Sequence, residues 1–244
     1  MTLFKERGVV LRSYRLGEAD RIVVFLTESH GKVRAVAKGV RRTTSKFGAR
    51  LEPMSHVLML LWAGRGDLDI VKQVEIVDHF PVLRGDLGRL TRGLSLIEVA
   101  EQMAQERHSD PRLYSMLVGA LRVLDDTTRD PAMVAPSFFL KALVLDGAEP
   151  VLDGCASCGL SGDHVKLVAF SLPDGGALCS NCRRGRPLSA PALELMRRIL
   201  GGTLGNVLSG PAPVGTEEVT LLTTEAVESH LERRLRSVRS ATGI

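Results

Sequence analysis

The chain of 244 residues contains no long hydrophobic run. The longest near its middle, Val57 to Ala63, is far short of the roughly 20 apolar residues that a membrane-spanning helix requires, so a membrane role is not expected. Lys5, Glu6 and Arg7 stand where a secretory leader would need an apolar stretch. The expected location is therefore the cytoplasm, where thiols stay reduced and four cysteines do not make a disulfide framework. Aromatic residues are also few: one Trp, two Tyr and seven Phe. Six of the ten lie in the first 80 residues (Phe4, Tyr14, Phe25, Phe47, Trp62 and Phe80), and several of these must fill a core.

The motifs of several enzyme classes are missing as well. Gly31-Lys32 is followed by Val33, and Leu26 stands where a phosphate-binding loop would need its first glycine. Gly64-Arg65-Gly66 lacks the third glycine of a dinucleotide fingerprint and precedes a strand pattern, not a helical one. There is no Gly-x-Ser-x-Gly elbow and no zincin helix, and the six histidines are scattered singly. Asp67 and Asp69 read as a loop device. No catalytic constellation emerges, and the chain is not expected to be an enzyme.

What is present is an uneven charge. The net charge is only +4, yet residues 1–80 carry 14 basic and 9 acidic side chains, an excess of five, while the remaining 164 residues are close to neutral. Lys32, Arg34, Lys38, Arg41, Arg42, Lys46 and Arg50 fall between Glu28 and Glu52 with no acid among them. Seven cations in nineteen residues create a field that a polyanion would feel, although such a run can also be an ordinary solvated face.

Hydrophobic alternation divides residues 8–80 into five strands, at Gly8–Tyr14, Arg21–Thr27, Lys32–Ala37, His56–Trp62 and Leu68–Asp78. Five short strands with a long connection between the third and fourth fit an OB-type Greek-key barrel, and an SH3-like barrel has similar spacing. The basic run covers the third strand and the connection after it. Phe47, inside that connection, suits either base stacking or anchoring the loop in a core.

After Pro81 the period becomes helical. Leu87, Leu90, Leu94, Ile97 and Met103 mark one helix, Asp110-Pro111 starts a second, and Pro131 or Pro136 opens a third that ends before Gly147. Gly201–Gly215, with five glycines and two prolines, is expected to be a mobile loop.

Cys155 and Cys158 are separated by two residues, as are Cys179 and Cys182, with twenty residues between the pairs. A two-residue gap lets both thiolates of one turn face the same ion, and two such turns close a tetrahedron with no open position for substrate. One structural zinc ion is the expectation, with a rubredoxin-type iron site, redox pairs or unrelated thiols as alternatives. Val165–Leu172 followed by Pro173-Asp174-Gly175-Gly176 reads as the hairpin of a zinc ribbon. Arg183, Arg184 and Arg186 trail the last cysteine and offer a second phosphate contact or a solvated tail.

Gly17-Glu18-Ala19-Asp20-Arg21, Thr27, His30-Gly31-Lys32, Ala37-Lys38-Gly39 and Arg41-Arg42 together resemble the N-terminal signature of the RecO family, bacterial recombination mediators of DNA repair. Leu51-Glu52-Pro53 and the two Cys-x-x-Cys pairs fall where that family has its next landmarks, so the resemblance runs the length of the chain. It implies an α+β protein: an OB-fold DNA-binding barrel over residues 1–80, then a mainly helical domain over 81–244 carrying a four-cysteine zinc ribbon at about 153–186. It also implies binding and annealing of single- and double-stranded DNA, partnership with RecR and single-stranded DNA-binding protein, RecA loading, and a cytoplasmic, nucleoid-associated location. Lys32, Arg34, Lys38, Arg41, Arg42, Lys46 and Arg50 are the expected phosphate contacts, and Cys155, Cys158, Cys179 and Cys182 the metal ligands. Two other classes fit the same residues: a zinc-ribbon nucleic-acid module of another pathway, and a scaffold whose basic barrel face binds acidic protein tails.

Overall fold

The computed structural model describes residues 2–45, 47–64 and 66–237. The chain packs as two compact units, Met1–Asp125 and Asp126–Arg239. Among the described residues no helix is long and apolar enough to cross a membrane.

In the first unit five strands close into a barrel: β1 (Leu3–Leu16), β2 (Asp20–Thr27), β3 (Gly31–Ala37), β4 (His56–Trp62) and β5 (Leu68–Asp78). Their order around the barrel is β1-β2-β3-β5-β4, and β4 pairs back onto β1. All pairs are antiparallel except β3 with β5, which run parallel through Arg34–Leu68, Ala35–Asp69 and Val36–Ile70. That closure is OB-like and decides between the two barrel types that strand spacing leaves open. β1 begins five residues before the apolar alternation suggests, because its first half pairs with β4 while its second half pairs with β2. A bulge between Val10 and Arg12 bends the strand from one partner toward the other.

Alternation sets the core. Val33, Ala35 and Ala37 point inward from β3, and Val57, Met59 and Leu61 from β4, while the residues between them face outward. Phe47 and Leu51, around a 3-10 turn at Gly48–Leu51, plug the same core. Phe47 is only 2% exposed, so the loop-anchor reading holds and the base-stacking one does not.

Three helices share this unit: α1 (Pro81–Gly85), α2 (Leu87–Met103) and α3 (Pro111–Asp125). Asp86 caps α2 by accepting the Arg89 N–H at 2.7 Å, and Asp110 caps α3 by accepting from Arg112 and Leu113. Strand gives way to helix at residue 80, whereas the compact units part after Asp125. The chain leaving α2 returns along the start of β3, where the Lys32 N–H donates to Gln105 O and the Arg107 N–H to Lys32 O. Gly31 permits this approach: its φ is +63°, and a Cβ there would lie 1.9 Å from the His108 carbonyl oxygen.

The second unit holds α4 (Val134–Leu145), a three-stranded sheet of β6 (Leu167–Ser171), β7 (Gly176–Cys179) and β8 (Arg186–Pro187), then α5 (Ala190–Leu200), α6 (Leu204–Leu208) and α7 (Thr216–His230). The sheet order is β7-β6-β8, and the β6–β7 hairpin lies where the ribbon pattern places it. α4 starts between the two candidate prolines and takes Pro136 into its first turn, where no intrahelical N–H is lost. Gly201–Gly215 is not structureless: it contains α6, whose Val207 is buried in the unit's core beside Ile199 and Leu222.

Candidate nucleic-acid interface and metal centre

β3 and the loop after it carry the basic run, and the structure divides its members into two groups. Lys32 points from the outer face of β3 to the end of α2, where its ammonium donates to the Glu101 carbonyl at 3.0 Å. That carbonyl belongs to the last helical turn, which lacks intrahelical donors and carries the negative end of the helix dipole. Arg34 donates to the Glu106 carboxylate at 3.1 Å, with the Asp67 carboxylate 3.9 Å away. Both cations therefore hold the barrel to the chain that crosses it. Both remain partly accessible; Arg34 is matched by carboxylates, whereas Lys32 meets only a carbonyl oxygen, which holds it in place.

Lys38, Arg41, Arg42 and Arg50 are exposed on the loop surface, and Lys46 lies outside the described residues. Arg41 donates to the Glu18 carbonyl at 2.8 Å and more weakly to Gly17 O at 3.4 Å. Its own N–H reaches Ala19 O, and the Gly39 N–H donates to Asp20 Oδ1 at 2.7 Å. These bonds fasten the basic loop to the β1–β2 turn. The Arg41 partners are neutral carbonyls, so among the described residues no carboxylate offsets its charge while its position is restrained.

Charged groups that no sequence motif pairs are brought together around the barrel. Buried Glu6 is bonded to His30, buried Asp69 to Arg107 at 2.9 Å, and Glu101 to Arg12 at 2.6 Å. Asp69 also accepts the Gly64 N–H at 3.2 Å, the loop device expected of it. His56 is buried, with Nδ1 on Asp78 and Nε2 on the Tyr114 hydroxyl, each at 2.7 Å. Burial lowers the His56 pKa below its ordinary value, despite the carboxylate of Asp78. Burial likewise pushes the Tyr114 phenol up to about 12. A neutral imidazole donating to Asp78 and accepting from Tyr114 satisfies all three groups. Their partners lie 22 and 58 residues apart, too far for any local pattern to reveal.

In the second unit the four cysteines converge. The first pair sits on a tight turn, where the Cys155 N–H donates to Leu160 O and the Gly159 N–H to Cys155 O, each at 2.8 Å. The second pair brackets the end of β7 and the short 3-10 turn after it. All four sulfurs lie within 4.8 Å of one another, and Cys158 Sγ is 3.9 Å from Cys179 Sγ. Ligands at about 2.3 Å around one tetrahedral zinc ion stand about 3.8 Å apart, so the spacing fits a single ion. Cys155 and Cys179 are buried in the unit's apolar core, whereas Cys158 is exposed. Burial opposes ionisation of Cys155, but N–H donors at Cys179, Cys158 and Ser157 outweigh it and bring the thiol down to about 6. The neighbouring sulfurs, Cys158 first, push Cys182 up to about 12. Without a cation four crowded thiols cannot all ionise, and a divalent ion would remove that conflict.

Two of the arginines behind the last cysteine are neutralised internally. Arg184 grips Asp174 with two nitrogens and reaches Ser157 Oγ at 3.1 Å. Arg186 forms a bidentate pair with Glu225 at 2.5 and 3.1 Å. Each carboxylate raises the pKa of its arginine. Arg183 lies on the same turn and makes no ion pair among the described residues.

A family model described as recombination protein O N terminal matches residues 1–80, and one described as recombination protein O C terminal matches residues 84–239. Together they cover the barrel, the helices and the cysteine cluster in order, and this membership supports a role in DNA repair and recombination. The chain belongs to the recombination protein O (RecO) family.

Proposed function

We propose that this protein is a DNA-annealing recombination mediator whose barrel binds single- and double-stranded DNA through the loop after β3. One observation carries the reading: Lys38, Arg41, Arg42 and Arg50 are accessible on a loop fastened against the β1–β2 turn of an OB-like barrel. Barrels of this type bind nucleic acids with their loops and the face of their second and third strands. Phosphate contacts of this kind position a strand without reading its sequence. Annealing needs that indifference, because two backbones must be shielded while their base edges stay free to pair.

Lys38, Arg41, Arg42 and Arg50 are the principal phosphate contacts in this reading. Lys46 belongs with them by sequence position; Arg34 contributes only at the margin because its charge is already matched by Glu106, while Lys32 is held against the Glu101 carbonyl at the end of α2. Annealing proceeds without ATP. With RecR, and in contact with single-stranded DNA-binding protein, the protein helps to load RecA onto single-stranded DNA. It does so as a cytoplasmic, nucleoid-associated mediator and not as an enzyme.

Zinc is the proposed occupant of the Cys155, Cys158, Cys179 and Cys182 cluster. Four thiolates leave no position for substrate, so the ion holds the ribbon and its adjoining core together.

The test is the salt dependence of oligonucleotide binding by the full chain with Lys38 and Arg42 both changed to Glu. Each lost phosphate contact should flatten the plot of log affinity against log salt by about 0.7–0.9. Unchanged affinity and slope would remove the loop from the interface, and a preference for RNA over DNA of equal length would favour a module of another pathway.

A further inference from the structure

The outer face of the barrel carries an apolar row that the core does not use. The strand pairing places Leu3 opposite Trp62, Trp62 opposite Ile70, Ile70 opposite Val36, Val36 opposite Ile22, and Ile22 opposite Tyr14. Each of these side chains alternates with an inward-facing neighbour, such as Leu61 beside Trp62 and Val71 beside Ile70. The row therefore crosses all five strands on the outside. Leu3 is 54% exposed, Tyr14 41% and Trp62 36%, with the middle three half-buried.

The row beside it has a different environment. Arg12, Val24 and Arg34 are opposite one another two residues along the same strands. There Val24 is 2% exposed, while Arg12 and Arg34 are engaged by Glu101 and Glu106 from the chain at and after the end of α2. The apolar row lies beyond that cover.

Its two aromatic rings are each matched with a cation. Lys72 Nζ lies 4.2 Å from the centroid of the Trp62 ring, and Arg12 Cζ lies 4.5 Å from that of Tyr14. Lys38, at the rim of the basic loop, follows β3 two residues beyond Val36. Each cation sits over the face of its ring, a place that a base of a single strand can take: at Trp62 the base stacks and the Lys72 ammonium meets the phosphate, whereas Arg12, held by Glu101, fixes the Tyr14 ring. From Trp62 to Tyr14 the row makes four strand-to-strand steps of about 4.8 Å, roughly 19 Å of arc. That suits a segment at the short end of the roughly 4–16 nucleotides held by an OB-type barrel.

We propose that this row, with Trp62 and Tyr14 as its stacking platforms, is a base-binding track for single-stranded DNA. The inference rests on the reading of the barrel as a DNA-binding domain and adds to it a site that touches bases, not phosphates. A base stacked on a protein ring cannot at the same time stack within a duplex, so the track would favour single strands over duplex and release them as pairing proceeds.

Trp62 is the only tryptophan in the chain, so intrinsic fluorescence reports on the track directly. The full-length protein is titrated with oligo-dT while the anisotropy of a fluorescein-labelled copy follows binding independently. Trp62 emission should be quenched saturably and in step with anisotropy. Trp62→Ala should weaken oligo-dT binding by about 5- to 100-fold, and Tyr14→Ala should weaken it within the same range while retaining the Trp62 signal. Trp62→Phe should recover most of the affinity, and none of the three should change the salt slope or weaken blunt duplex binding. Full anisotropy with no quenching, or wild-type affinity in Trp62→Ala, would overturn the track while leaving the phosphate-binding loop standing. Absence of DNA binding altogether would overturn both. If Trp62→Ala changes only the oligomeric state, the row is a surface for a second copy of the chain and the proposal falls.

Discussion

Two clusters of arginine, one in each unit, show why a charge in a sequence is not yet a charge at a surface. Arg41 and Arg42 follow β3, and Arg184 and Arg186 follow the second cysteine pair. As sequence features they look alike: short basic runs beside glycine on turns. In the barrel loop Arg41 rests on the carbonyls of Glu18 and Gly17, which orient the guanidinium, and no carboxylate among the described residues pairs with it. In the ribbon Arg184 and Arg186 are each clasped by a carboxylate, Asp174 and Glu225. A carbonyl partner positions a cation, whereas a carboxylate partner consumes it. A polyanion is offered the first cluster and would have to break ion pairs to use the second.

The largest effect that separates the two units should come from the metal. Chelation, or Cys155→Ser, is expected to abolish the cooperative melting of the ribbon unit, because two buried sulfurs sit within its apolar core. Oligonucleotide affinity measured on the same full chain should fall far less. Differential scanning calorimetry beside metal analysis reads the outcome, and a melting profile indifferent to chelation would rule out a structural ion.

Charge reversal is the next largest. Lys38→Glu with Arg42→Glu should weaken DNA binding at least about tenfold at moderate salt and flatten its salt slope. Arg186→Gln, in the other cluster, should leave both unchanged, since the charge it removes is already paired with Glu225. Equal losses from the two clusters in fluorescence anisotropy would break the comparison.

The buried His56 supplies a third effect, confined to the barrel unit. Removing its hydroxyl partner with Tyr114→Phe leaves the imidazole Nε2 unsatisfied, at a cost of about 1–3 kcal/mol. The pH dependence has a definite sign. Because burial depresses the His56 pKa in the folded state, the unfolded chain takes up its proton first as pH falls below about 6.5. Stability from this group is fully present above that value and is lost as pH drops toward the folded pKa. Urea titrations between neutral and mildly acidic pH should show the loss in the wild type and a smaller one in His56→Gln. The smallest effect belongs to Arg186→Gln on stability, because its exposed pair is screened by solvent.

Much of the architecture was legible because it is local. Strand alternation depends on neighbours two residues apart, so Val33, Ala35 and Ala37 declare an inner face before any partner strand is known. Helix starts depend on a cap within three residues, as Asp110 shows. Two Cys-x-x-Cys turns carry their chemistry in their spacing. Other features had no such signal. The early start of β1 depends on pairing with β4, about 50 residues away. Phe47 offered the same ring to a base or to a core, and only the closing of the barrel selected the core. Trp62 and Tyr14 were visible as scarce aromatics, but no pattern shows that an outer row joins them across five strands.

The amino-acid sequence by itself therefore determined the five barrel strands, the three helices that follow them, the pairing of the four cysteines and the region where positive charge is concentrated. Each follows from short-range periodicity, spacing or simple counting. Tertiary structure alone decided the parallel closure of β3 on β5 and the division between compact units after Asp125. It also decided which cations are matched by carboxylates. Charge compensation is a matter of distances of about 3 Å between groups far apart in sequence: Arg34 meets Glu106, and Arg12 meets Glu101, only once the chain has folded back on itself.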